Sequence, residues 1–176
     1  FSLGRQPLAN NLLNSPQQAP VYPLELLQCK HCSLIQLSYV VPKEKLYYEY
    51  FYIPSVSKTH LVHFENLAFT LIKELKIATK SLVVDIGSSD GSLLKAFKKQ
   101  GMRVIGIEPA KNITSEIETY RYYFSPLIAT SIVDLDGKAK LVTATNVFAH
   151  IDNLHEFIRA LDILLDEDGI FFAQFP

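Results

Sequence analysis

The sequence predicts an α/β fold, a mostly parallel sheet with helices on both faces, preceded by a smaller module of different character. Three observations predict it. From residue 57 onward, short apolar runs alternate with stretches whose apolar residues recur at three- and four-residue spacing. The first strong run, SLVVDI, passes into a glycine-bounded turn, GSSDG, and then into a helical stretch. The composition of the 176 residues, 48% hydrophobic and 20% charged, is that of a chain able to bury one sizeable core.

Composition also excludes several classes of function. A formal net charge of -1 supplies no overall pull toward nucleic acid or an anionic membrane, so neither is expected as a partner. No apolar run approaches the ~20 residues a bilayer span needs, and no basic-then-apolar signal opens the chain. A cytoplasmic location is expected. Cys29 and Cys32, as Cys-Lys-His-Cys, are one close pair and not a secreted disulfide framework. The first residue is Phe1, which leads to the expectation of a piece of a longer protein. No internal repeat or low-complexity tract is visible.

Residues 1 to 24 carry Pro7, Pro16, Pro20 and Pro23 and read as an extended, loop-rich segment. Residues 25–41, ELLQCKHCSLIQLSYVV, read as short strands around the cysteine knuckle, followed by an aromatic run ending at Tyr52. The boundary falls near Ser57, giving a module over 1–56 and a main domain over 57–176. Leu61, Phe64, Leu67, Ala68, Leu71, Ile72 and Leu75 form one apolar stripe on a helix that Ser57 can cap.

Strand 81–86 follows, then helix SLLKAFKKQ ended by Gly101 and strand MRVIGIE over 102–108. A third strand is expected around IETY, then a helix from Ser125-Pro126, where a cap precedes proline at the first helical position. Strand KLVTATN (140–146) comes next. A helix from about Asn153 to Leu165, closed by Gly169, and a last strand, IFFAQF, complete the order. One connection is short: only about eight residues separate Pro109 from IETY, where a parallel crossover usually takes about a dozen. The helix there must be very short, or the third strand lies elsewhere.

The turn after the first strand reads two ways. Gly87-Ser88-Ser89-Asp90-Gly91 is G-x-S-x-G, the elbow of a serine hydrolase, with Ser89 as nucleophile and Asp134 or Asp136 with His150 or His155 as partners. With Asp85 it is D-x-G-x-x-x-G, a turn that cradles a cofactor. Gly87 lets the chain leave the strand sharply, and Gly91 lets the helix start approach strand and ligand. Glu108 ends the next strand 17 residues after Gly91, where a doubly wound fold places an acid for ribose hydroxyls. Asp85 suits a ligand with an ammonium or sulfonium group and would repel a pyrophosphate. The cofactor reading accounts for more positions, although both glycines could merely permit a tight turn and Glu108 could be a solvated strand-end acid.

VVDIGSSDGSLL, VIGIEPAKNI, NVFAHIDNLHEFI and LLDEDGIFFAQFP resemble the S-adenosylmethionine-dependent C-methyltransferases that act on nucleotide-linked deoxysugars. LGRQPLANNLL, YPLELLQCKHCSLIQL and YEYFYIPS resemble that family's zinc-binding module and the entry to its helix. The resemblance covers essentially the whole chain. It implies a Rossmann-like class I methyltransferase sandwich of three layers, here with an incomplete sheet, behind a small zinc-binding-type module.

It further implies that Asp85, Gly87, Ser88 and Gly91 line the methionine end of S-adenosylmethionine and that Glu108 holds its ribose. Pro109 would shape the adenine pocket, and Asn146, Val147 and Phe148 would close the floor beneath the sulfur. Tyr50 and Tyr52 would face the sugar, although such aromatics commonly pack module against domain. His150, in the same loop as Asn146, is more readily structural than a ligand contact. Zinc in that family takes four cysteines, so Cys29 and Cys32 would be a half-site; His31, His60 and His63 are the other candidates within reach of the sequence.

The family's catalytic base lies in a segment after the last strand, so a piece ending at GIFFAQFP would hold the donor site without it and leave IFFAQF as an apolar edge. The expected function is methyl transfer to a sugar carbon, with a small-molecule nucleotide sugar as substrate. A non-catalytic cofactor-binding or interaction module, and the serine hydrolase, are the other classes.

Overall fold

The computed structural model describes residues 1–9, 13, 15 and 18–175. The chain divides into two compact units, Phe1–Phe51 and Tyr52–Pro176.

The first unit is a three-stranded antiparallel sheet of order β1-β2-β3, with β1 over Ser2–Pro7, β2 over Val21–Gln28 and β3 over Ile35–Leu37. A short helix, α1 (Lys43–Tyr47), follows. The extended, loop-rich segment expected over 1–24 thus contains β1 and the start of β2. Of the prolines that suggested a loop, Pro7 closes β1 and Pro23 pairs with Arg5 beside the register shift between Ser2 and Arg5. Asn10–Leu12 of the LGRQPLANNLL stretch, and Pro16, lie outside the described residues. Between β2 and β3 the chain reverses at the cysteines. Cys29 N donates to Leu34 O (2.8 Å), Ser33 N donates to Cys29 O (2.9 Å), and Ser33 takes φ +62° to close the turn.

The second unit opens with a 3-10 turn at Pro54–Val56 and α2, Lys58–Glu74. There follow β4 (Leu82–Ile86), α3 (Ser92–Lys99), β5 (Arg103–Ile107), β6 (Thr119–Tyr120) and α4 (Pro126–Asp136). Then come β7 (Ala139–Thr145), a 3-10 turn at Phe148–His150, α5 (Leu154–Leu164) and β8 (Leu165–Gln174). The five strands are parallel, in the order β6-β5-β4-β7-β8.

Period-two alternation on buried strands makes the three layers. Leu82, Val84 and Ile86 of β4 join Ile132 of α4 and Ala160 and Leu164 of α5 in one core. Val83 joins Phe64 and Ala68 of α2 and Leu94 and Phe97 of α3 in the other. Ser57, Ser125 and Asn153 cap their helices as expected, accepting the amides of His60, Ile128 and Glu156. Gly101, at φ +84°, ends α3 in a Schellman pattern: Met102 N reaches Phe97 O and Gly101 N reaches Lys98 O. No helix among the described residues is long and apolar enough to cross a membrane.

Two expectations are corrected here. Gly169 does not close α5; the helix stops at Leu164 and β8 begins at once. Gly169 instead lies where the β7–β8 register shifts, and a Cβ there would come within 2.8 Å of Ala139 O. Residues 108–118 contain no helix, so β6 is reached by an irregular link pinned by the buried Ala110, Ile113 and Ile117. The link is long enough because β6 is only a two-residue edge strand pairing with Gly106 and Ile107. β8 forms the other edge, with Ile170 exposed and Phe171 to Gln174 half-buried.

Candidate functional site

The turn joining β4 to α3 holds three residues in left-handed conformation: Gly87 (φ +72°), Ser89 (φ +50°) and Gly91 (φ +76°). Gly87 is also sterically required, because a Cβ there would lie 2.4 Å from Val147 Cγ2. At Gly91 the close neighbours are Ser115 Oγ (2.5 Å) and Ile117 of the 108–118 link. That glycine thus makes room for the link.

Backbone amides tie the turn to the neighbouring strand. Gly87 N and Ser88 N both donate to Ile107 O, at 2.7 and 3.1 Å. Ser89 N donates to Glu108 Oε2 at 2.9 Å, and Ala110 N donates to Glu108 Oε1 at 2.8 Å. The buried Glu108 carboxylate is therefore preorganised at the mouth of the turn, each oxygen keeping capacity to accept a further bond. Burial raises its pKa, opposed by the Ala110 and Ser89 amides and by the Arg121 charge.

Asp85 lies beneath the turn on β4, 2% exposed, and accepts from Thr143 Oγ1 of β7 at 2.6 Å. Burial pushes its carboxyl up to about 7; the Thr143 bond opposes the rise and the Glu108 charge adds to it. Asp90 is a member of the site that sequence reasoning missed. Its Oδ1 accepts Ser92 N (3.1 Å) and Ser92 Oγ (2.7 Å), and its Oδ2 accepts Ser55 N (3.2 Å). Burial works against the charge, but the Ser55 and Ser92 bonds hold the carboxyl below the usual range. Asp-Gly-Ser at a helix start was the available signal for the local half of this arrangement.

The remaining predicted residues divide. Ser88 turns its hydroxyl onto β5, 2.5 Å from where a Gly106 Cβ would stand, and this hydroxyl has no partner among the described residues. Pro109, half-buried, follows Glu108 into the link. Asn146 takes φ +57° with its amide on Gln174 O (2.8 Å), which sets Val147 against Gly87. Phe148 packs on Phe157, Phe171 and Phe175 at 5.4, 5.7 and 5.8 Å between centroids. His150 is exposed in the 3-10 turn, its amide donating to Val147 O.

Tyr52 belongs to the second unit and its hydroxyl lies 3.1 Å from His60 Nδ1. Tyr50 belongs to the first unit and stacks edge-on with Tyr47 at 5.9 Å. Ser89 Oγ is buried with no hydrogen-bond partner among the described residues, so no histidine is placed to activate it as a hydrolase nucleophile.

Cys29 and Cys32 are free thiols on the β2–β3 turn. The Cys32 amide, then the His31 amide and the Cys32 thiol, lower the pKa of Cys29. Among the described residues no group of three or more His, Cys, Asp or Glu is gathered for a metal. His60 is bonded to Tyr52, and His63 Nε2 lies 3.2 Å from Gln174 Oε1.

Comparison with known proteins gives matches in both parts of the chain. A family model described as "Putative zinc binding domain" matches residues 1–47, and one described as "Methyltransferase domain" matches residues 61–176. The C-methyltransferase NovU of Streptomyces niveus is 32% identical over 183 residues, covering 99% of this chain and 44% of NovU. Among solved structures, the plantazolicin methyltransferase BpumL, in complex with a pentazolic desmethylPZN analog and SAH, superposes with a TM-score of 0.50. The identity is 17%, over 66% of this chain and 48% of BpumL. Its triazolic complex gives 0.50 and 15%, over 68% and 48%. The chain thus spans less than half the length of these relatives, and the structural likeness speaks to the fold alone. The match over 61–176, on a parallel sheet with an acid at the ends of β4 and β5, makes this chain a member of the methyltransferase-domain family.

Proposed function

We propose that the turn 87–91, with Asp85 and Glu108, binds S-adenosylmethionine, and that the protein transfers its methyl group to a carbon of a nucleotide-linked deoxyketosugar. The observation that carries the cofactor reading is the Glu108 carboxylate, held by the Ser89 and Ala110 amides at the end of β5 beside the left-handed turn. Such a carboxylate suits vicinal ribose hydroxyls, which donate to it. Asp85, whose buried carboxyl keeps its proton up to about pH 7 in the free protein, stands beneath the turn where a cationic ligand would draw it into its charged form. Val147 closes over Gly87, where only a glycine leaves space. Family membership and the similarity to NovU, a C-methyltransferase, support the same reading.

S-adenosylmethionine supplies a methyl group on a sulfonium, open to in-line displacement. The residues around it position donor and acceptor and exclude water. Ser88 contributes through its backbone, its hydroxyl being turned onto Gly106. Asn146, Val147 and Phe148 form the floor, with Phe148 stiffened by its aromatic neighbours, and Pro109 borders the adenine side. Tyr52 serves the sugar. Making the acceptor carbon nucleophilic requires a base. Asp85 and Glu108 are buried and committed to Thr143 and to two amides, so they serve the donor and not that step.

Cys29 and Cys32 fit as two thiolate ligands of a zinc ion, the amides at the knuckle favouring the charged sulfur. The described residues offer two of the roughly four donors that zinc takes. The test of substrate class is mass spectrometry of a nucleotide-linked ketosugar incubated with the full-length protein and S-adenosylmethionine bearing a deuterated methyl group. Label on a ring carbon is expected. Label on oxygen, or on a peptide in competition, would overturn the sugar assignment.

A further inference from the structure

Asp90 is 8% exposed, yet one of its carboxylate oxygens serves a residue 35 positions earlier. Its neighbours Ser89 and Gly91 are both left-handed, at φ +50° and +76°, which fixes the direction of its side chain. Oδ1 is committed to Ser92 at the start of α3, and Oδ2 to the amide of Ser55. Ser55 lies in the 3-10 turn Pro54–Val56, between Tyr52 and the capping Ser57 of α2.

That segment has little else to hold it. Pro54 is buried, but Ser55 is exposed, Val56 is 81% exposed and Tyr52 is 48% exposed. Its own turn closes through Val56 N to Ile53 O at 3.4 Å and Ser57 N to Pro54 O at 3.1 Å, the first a long bond. Ser55 joins it to the glycine turn: its amide donates to Asp90 Oδ2, and its side chain bonds the same carboxylate. A segment so lightly packed belongs to the low-stability end of a fold, where order depends on a few contacts. At its start stands the exposed Tyr52–His60 pair, a phenol and an imidazole able to meet a polar acceptor.

The other side of Asp90 is coupled to the donor site. Ser89, one residue before it, gives its amide to Glu108 Oε2. A ligand that takes up the Glu108 carboxylate therefore acts on the peptide that aims Asp90. We infer that Asp90 is a positioning residue that transmits occupancy of the glycine turn to the segment 52–57, so that filling the donor site orders the Tyr52–His60 surface. This rests on the cofactor reading above. By linkage the coupling is reciprocal, and releasing Ser55 from Asp90 weakens donor binding.

The experiment is amide hydrogen exchange by nitrogen-15 NMR on the chain, with and without saturating S-adenosylhomocysteine, in wild type and in Asp90→Asn. In the wild type the ligand slows exchange of the Ser55 amide by roughly tenfold, the scale of tightening one charge-assisted bond. In Asp90→Asn the ligand still slows exchange at Ser89 but leaves Ser55 unchanged, an outcome a purely structural role for Asp90 would not produce. Binding to the wild type with no change at Ser55 overturns the inference and leaves the cofactor reading standing. Absence of binding to the wild type overturns both. The wild-type comparison decides the matter even if Asp90→Asn fails to fold.

Discussion

Replacing Asp85 by asparagine removes a titratable carboxyl from a position 2% exposed and leaves an oxygen that can still accept from Thr143 Oγ1. In the unfolded chain this carboxyl titrates near its ordinary value of 3.8, whereas burial, opposed by Thr143 and reinforced by Glu108, pushes it up to about 7 in the fold. Between those values the native state keeps a proton that the unfolded chain has released, so stability falls as pH rises. The contribution is fully present below the lower value and lost once pH passes the upper one. At about 1.36 kcal/mol for each tenfold change in proton concentration, the whole window is worth roughly 4 kcal/mol, and the part from pH 5 to 7 roughly 3 kcal/mol. The asparagine variant lacks this term. Urea unfolding at pH values from 5 to 8 should show the variant gaining on the wild type by about that smaller amount, the gain levelling off above pH 7. Comparing slopes cancels any constant effect of the substitution, and Glu108 titrates in both proteins. A difference independent of pH would refute the claim that Asp85 is neutral below pH 7 in the free protein.

Other outcomes follow from single contacts. Gly87→Ala meets both a left-handed φ and Val147 Cγ2 at 2.4 Å, so it should cost about 2–3 kcal/mol in thermal unfolding; Val147→Ala in the same chain should recover part of that loss. Ser125→Ala removes the cap on the Ile128 amide and should cost about 1 kcal/mol by denaturant titration, with no pH dependence. Cobalt titration should give thiolate charge-transfer absorption that disappears in Cys29→Ser and in Cys32→Ser. Retention of the bands in either variant would place the metal elsewhere.

Much of the second unit was legible because buried parallel strands and amphipathic helices write their periods directly. Leu82 to Ile86 alternate between two cores, and the side chains of Ser57, Ser125 and Asn153 announce their helices locally. Glu108 was legible from its distance to the turn. Features fixed by partners distant in sequence were not legible. Pro7 and Pro23 read as loop until β1 and β2 are seen to pair around a register shift. Gly169 resembles a helix stop, but the backbone oxygen of Ala139 is what requires a glycine there. The direction of the Ser88 side chain was not legible either, because the absence of a side chain at Gly106, on the next strand, is what receives its hydroxyl. The Asp90–Ser55 bond spans 35 positions and has no local sequence pattern on the Ser55 side.

The central claim is that Glu108 and the turn it anchors form a cofactor site in this chain. Calorimetric titration of the purified chain with S-adenosylhomocysteine tests it directly, beside the Glu108→Ala variant checked for folding by circular dichroism. The account predicts saturable binding to a single site in the wild type and its loss, by tenfold or more (about 1.4 kcal/mol), in the folded variant. No binding to the wild type, or equal affinity in Glu108→Ala, would contradict it.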